Sequence, residues 1–205
     1  MEEKYLYVVF SSTPYKMGRL IRRVTGDVYN HASIALDESL ERMYGFSRRY
    51  YHTPLYGGFV RESISRYHVN GKAAQFRVCR IPITQAQHNT LSQLLSDMYA
   101  QREHYIYNHF SALGALFHKP VKIKDAFICV DFVVHILHSV GIPLDPNCYY
   151  SVDDLEALMR PYEFYTGPAP DTEIIDTTYY AQKPIPHPII TTCCEIFELF
   201  DRLFE

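Results

Sequence analysis

The sequence predicts an α+β domain in which an antiparallel, partly rolled sheet packs against a central cysteine-bearing helix. Three observations carry this. The chain opens on Tyr5–Phe10 (YLYVVF), an aromatic and β-branched run that reads as a buried strand. Two short segments, Asn30–Leu36 (NHASIAL) and Glu41–Ser47 (ERMYGFS), flank the polar residues Asp37-Glu38-Ser39 and read as an antiparallel hairpin. Finally, Phe127–Val140 (FICVDFVVHILHSV) is apolar almost all round and stops at Gly141-Ile142-Pro143, as a buried helix would.

The remaining elements follow in order. Thr13 suits a helix N-cap and Pro14 a first helical position, so a short helix to about Val24 follows the first strand, closed by Gly26-Asp27. After a Pro- and Gly-containing loop at 50–58, Phe59–Ile64 and Gln75–Ile83 are further strands. Thr84 with Gln87 forms a capping box ahead of an amphipathic helix carrying Leu91, Leu94, Leu95 and Met98. Residues 105–122 are rich in aromatics and histidine without clean periodicity and read as irregular with some helix. Ser151 and Asp154 cap a helix over 151–159, and Tyr162–Tyr165 and Glu173–Thr177 read as closing strands. From Thr191 the tail forms a docking helix, about 191–205, with an Ile196, Leu199, Phe200 and Leu203 stripe.

Length and composition bound the function. A chain of 205 residues suits a single domain, residues 1–205, with its core over about 5–165. The formal charge of −3 and scattered Lys and Arg offer no footprint for nucleic acid. The one basic cluster, Arg19, Arg22 and Arg23, reads as a solvated helix face. No apolar run approaches the roughly 18 residues of a membrane span. The N-terminus lacks the basic region and apolar core of a secretory signal, which points to the cytoplasm. There the five cysteines, 79, 129, 148, 193 and 194, stay reduced.

Cys129 stands where the buried helix begins. Unpaired N–H groups and the positive dipole end of a first turn favour a thiolate, and the Cys129 N–H could serve an oxyanion hole. A free cysteine is otherwise a small buried hydrophobe. A nucleophile also needs an imidazole held on a rigid element. His31, opening a strand of Ala, Ser, Ile and Leu, fits that need, although a core histidine satisfied by backbone would look the same.

Together these residues resemble a known family. The strand, the Ser-Ser-Thr-Pro helix, Asn30-His31-Ala32-Ser33-Ile34-Ala35-Leu36, the aromatic hairpin partner and then Phe127-Ile128-Cys129-Val130-Asp131-Phe132-Val133 are similar to the circularly permuted NlpC-type branch of the papain-like cysteine peptidases. That branch includes YiiX-like proteins and, more distantly, lecithin:retinol acyltransferase-like enzymes. The resemblance covers residues 5 to 140. It implies a papain-like fold, Cys129 as nucleophile, His31 as acid and base, and a peptide, lipid or other small-molecule substrate carrying an amide or ester bond.

The resemblance also implies a third polar residue, commonly Glu or His, on the strand after the histidine. Pairing Leu36 with Leu40 across the turn sets Gly45 opposite His31, and glycine has no side chain to offer. A shift of one or two positions would bring Phe46 or Ser47 there instead. The expectation is therefore a dyad lacking its orienting member, and an inactive binding module of the same fold is the rival reading.

No cofactor is implied. His135 and His138 with Cys148 or His109 could be drawn as a zinc site, but no C-x-x-C or H-E-x-x-H spacing supports it. The vicinal Cys193-Cys194 lacks the spacing of a redox pair. The tyrosines at 50, 51, 56, 105 and 107 suit either a cleft wall or a half-buried surface.

Overall fold

A computed structural model of the chain describes residues 3–204 except 14, 16, 17, 20, 21, 24, 25, 27, 116–118 and 183–186, and except the side chains of 187 and 188. The opening run forms β1 (Lys4–Ser11). The hairpin forms β2 (His31–Ala35) and β3 (Met43–Arg48), followed by β4 (Gly57–Glu62). A small ribbon, β5 (His68–Val69) with β6 (Lys72–Ala73), leads into β7 (Gln75–Ile83). Helix α1 (Gln85–Ala100) carries both halves of the Thr84–Gln87 capping box and buries Leu91, Leu95 and Met98.

The aromatic stretch that follows resolves into β8 (Ile106–Tyr107) and α2 (His109–Gly114), the latter capped by the Asn108 side chain. Strand β9 (Ala126–Phe127) feeds directly into α3 (Cys129–Ser139), which ends at Gly141 with φ of 86°. Helix α4 (Val152–Met159) carries the Ser151–Asp154 capping box, and β10 (Glu163–Pro168), the turn α5 (Thr177–Tyr180) and α6 (His187–Leu203) complete the chain.

One eight-stranded sheet, in the order β10-β7-β1-β2-β3-β4-β8-β9, organises the molecule. Its pairings are antiparallel except for the parallel β8–β9 contact, and the sheet is mixed and open, not a closed barrel. Both faces of its centre are covered, which is why β1 reads as a continuous apolar run. On one face Leu6, Val8, Phe10, Ile34, Phe46 and Phe59 pack against α1 and α3. On the other, Tyr7, Val9, Ala35 and Met43 meet Ile64, Tyr67 and Phe76. Phe132, Val133, Ile136 and Leu137 of α3 are fully buried, so this helix is the central one the sequence predicts.

Two expected elements differ. Glu173–Thr177 is not a strand: the Asp176 side chain accepts a hydrogen bond from the Tyr179 N–H and caps α5, an alternative that a local Asp side chain offers the backbone. The terminal helix docks through Thr192, Glu195 and Leu199, while Phe200 and Leu203 of the expected stripe are exposed. Leu199 fits against Ile106, Ile123 and Ala126, and that small patch, rather than the periodicity of the helix, selects the buried face. The helix expected from Thr13 to about Val24 lies largely outside the described residues. No helix among those described is long and apolar enough to cross a membrane.

Candidate active site

Helix α3 starts at Cys129 because Ile128, its N-cap, has an extended backbone and β9 ends just before it. An isoleucine side chain cannot accept a hydrogen bond, so the first-turn N–H groups receive no side-chain cap. Asp131 lies in that first turn, where a carboxylate complements the helix dipole. It is buried and pairs with Lys122 Nζ at 2.6 Å, while Ser111 donates to it at 3.2 Å. These bonds tie α2 and the 122 loop to the base of the helix.

His31 opens β2, opposite Ser11 of β1. The preceding Asn30 accepts from the Thr13 N–H at 2.9 Å and from Arg22, so Arg22 braces this corner and is not simply a solvated charge. The His31 ring is only 6% exposed. Its Nε2 lies 3.1 Å from both carboxylate oxygens of Glu62 on β4, and Cys129 is close enough to help raise the ring's pKa. With Nε2 engaged by the carboxylate, Nδ1 is the nitrogen left for sulfur.

A carboxylate, Glu62, thus meets the His31 ring from β4, whereas the sequence reading looked for a third polar residue on the next strand, β3, and found Gly45 there. The register explains the difference. Residues 36–42 form a longer turn, with Leu40 in the left-handed region at φ 55°, and β2 pairs with β3 as Ile34–Tyr44 and Ala35–Met43. Gly45 therefore lies opposite Ser33, where a Cβ would stand 3.2 Å from that of Ser33. Glu62 pairs with Met43 and Val60 with Gly45, which puts His31, Ser33, Gly45 and Glu62 on one face. Gly45 sits on the strand between His31 and Glu62 and has no side chain to separate them. Ser47, one of the two residues that a register shift would supply, is close enough to Glu62 to help lower its pKa.

Charge follows from this packing. Burial by itself would push the His31 ring down, but the Glu62 charge and hydrogen bond, with Cys129, hold it up at about 10. Burial pushes Glu62 up, and the His31 charge and hydrogen bond, with help from Arg66 and Ser47, outweigh this and bring it to about 2. Tyr67, pushed well up by burial and by the Glu62 charge, keeps its proton and donates to Glu62 at 2.7 Å. The buried pair is thus an imidazolium and a carboxylate at neutral pH.

His31 and Cys129 line one cavity of about 290 Å³, walled by Phe46, Pro54, Leu55 and Tyr107. Burial and the charges of Cys129 and Asp131 raise Tyr107, so it too presents a protonated hydroxyl. His109, on the same wall, is pushed down by burial and stays neutral. Among the described residues no group of three His, Cys, Asp or Glu could hold a metal ion. His138 instead bonds the Leu144 carbonyl at 2.8 Å.

Sequence reading placed Cys129 and His31 as candidates, and the fold brings both to this cavity. It missed Glu62; Tyr107, read as either cleft wall or half-buried surface, lies on the cavity wall. For Glu62 a local signal exists: Val60, Glu62 and Ile64 alternate with the polar Arg61 and Ser63, which marks Glu62 as an inward position.

With the geometry described, comparison with known proteins adds little. The crystal structure of the Type VI secretion system effector TseH is similar at 14% identity and a TM-score of 0.40, covering 78% of this chain and 90% of that one. No family model and no curated protein matches the chain.

Proposed function

We propose that the chain is a cysteine-nucleophile enzyme of the papain-like, permuted NlpC type, acting on an amide or ester bond with Cys129, His31 and Glu62. The observation that supports this is a buried imidazole held by a carboxylate, lining the same cavity as a cysteine at the start of a helix. In the proposed cycle the proton of the Cys129–His31 pair already resides on the His31 imidazolium, and the Cys129 thiolate attacks the substrate carbonyl. Negative charge gathers on the carbonyl oxygen, which the first-turn N–H of Cys129 stabilises. His31 then gives its proton to the departing amine or alcohol, leaving a thioester. An acceptor, water in a hydrolase, loses a proton to His31 and attacks the thioester, which releases the acid and the Cys129 thiolate and restores the imidazolium. Glu62 holds the ring and stabilises its charged form without itself taking a proton.

An acyltransferase of the lecithin:retinol kind is the second reading, favoured by the apolar cavity wall of Phe46, Pro54 and Leu55. The Glu62 contact with His31 supports the enzyme reading over an inactive binding module of the same fold. The test is an activated ester, p-nitrophenyl acetate. The wild type is expected to release a burst of one equivalent of nitrophenol and to form an acetyl adduct on Cys129. No burst, or the same burst from Cys129→Ala, sinks the proposal. Adding an alcohol or amine and identifying the product separates hydrolysis from acyl transfer.

A further inference from the structure

Behind Glu62 lies a second and larger cavity, of about 500 Å³, which the proposed chemistry does not use. Its wall carries five arginines, Arg42, Arg49, Arg61, Arg66 and Arg102. Four carboxylates share it, Glu41, Glu62, Glu103 and Asp176, and one of these, Glu62, is already paired with His31. The arginines outnumber these four carboxylates by one, with the buried Glu195 near Arg49 as a further acid.

Two of them lie deep and are incompletely satisfied. Arg66 is 6% exposed. Its Nε binds Asp176 at 2.7 Å and one terminal nitrogen donates to the Arg61 carbonyl at 3.2 Å, but Nη1 has no hydrogen-bond partner among the described residues. Arg49 is 7% exposed. Its terminal nitrogens reach Glu103 at 3.3 Å and the Arg102 carbonyl at 2.7 Å, and its Nε has no such partner among the described residues. An unsatisfied buried guanidinium N–H is costly, and native structures rarely keep one without a reason. At the rim, Arg61 and Arg102 both lie against the Tyr99 ring, at 5.3 and 5.1 Å, and Arg102 also lies 3.6 Å from Glu103, the acid that Arg49 already uses. Arg42 and Arg61 make no ion pair among the described residues.

We infer that this cavity binds a small anion carrying more than one phosphate group, with Arg49 and Arg66 at its base and Arg61 and Arg102 at its mouth. Guanidinium forks match phosphate oxygens two at a time, and a ligand with charges at both depths engages base and rim together. A single carboxylate would leave either the base or the rim unmatched. Glu62 and Arg66 line this cavity and the Cys129 cavity alike, so the anion sits behind the wall that holds His31.

Pyrophosphate titrated calorimetrically at constant ionic strength is the test. Saturable one-site binding is expected with Kd below about 1 mM, weakened about tenfold or more by Arg61→Glu or Arg102→Glu. Both side chains are exposed, so these variants keep the fold, which circular dichroism verifies. Cys129→Ala protein is expected to bind as tightly as the wild type, so this result stands apart from whether Cys129 is a nucleophile. No saturation, or binding that neither charge reversal weakens, overturns the inference.

Discussion

Replacing Glu62 by Gln tests the centre of the site with little change of shape. The amide keeps an oxygen for the His31 Nε2–H and the Tyr67 hydroxyl, and removes only the charge. At the observed 3.1 Å and an effective dielectric constant of about 20, the ion pair is worth about 5 kcal/mol, or about 4 pKa units. That matches in size the rise of His31 from 6.5 to about 10, which stands even though burial pulls the other way. In Glu62→Gln the ring is expected to titrate near or below its ordinary value, about 6, because burial is then little opposed. The imidazolium form therefore becomes the minor one at neutral pH. The assay is an NMR titration of the His31 ring nitrogens in both proteins. A Glu62→Gln midpoint above about 8 in folded protein would refute the reasoning, since the charge would then not be what holds the proton.

Other outcomes follow from the same structure. Iodoacetamide near neutral pH is expected to label Cys129 ahead of Cys79, which is fully buried and pushed up to about 12. Mass spectrometry of tryptic peptides reads this, and uniform labelling unchanged by His31→Ala counts against the dyad. For stability, His31 is raised in the folded state and Glu62 depressed. The pair's contribution is therefore complete between about pH 4.5 and 6.5, fades as pH rises toward 10, and fades as pH falls toward 2. Urea midpoints across pH should show both flanks, and Glu62→Gln should flatten them. Gly45→Val should separate His31 from Glu62 and lower the His31 midpoint as Glu62→Gln does, since a side chain there enters a space 3.2 Å from Ser33; a midpoint left near 10 argues against it. Phe132→Ala should cost about 3–5 kcal/mol in chemical denaturation, as its ring is fully buried among Phe46, Phe59 and Phe127.

The sequence by itself determined what short-range chemistry controls. The capping boxes at Thr84–Gln87 and Ser151–Asp154, the apolar helix stopped at Gly141, the strand over 75–83 and the position of Cys129 at a helix start all form as read. Each depends on residues within a few positions of one another, so periodicity and cap chemistry suffice. His31 was legible through a resemblance spanning a hundred residues rather than through any local pattern.

Tertiary structure alone decided which side chains meet. Glu62 reaches His31 because a long turn with Leu40 in the left-handed region sets the register, and because the glycine on the intervening strand leaves their shared face open. The buried face of α6 is likewise set by the patch it meets at Ile106, Ile123 and Ala126. Strand register and docking face depend on contacts between residues distant in the chain, and a change of one position turns every side chain to the other face. The sequence could therefore single out Cys129 and His31, but the carboxylate that meets the His31 ring came into view only with the folded sheet.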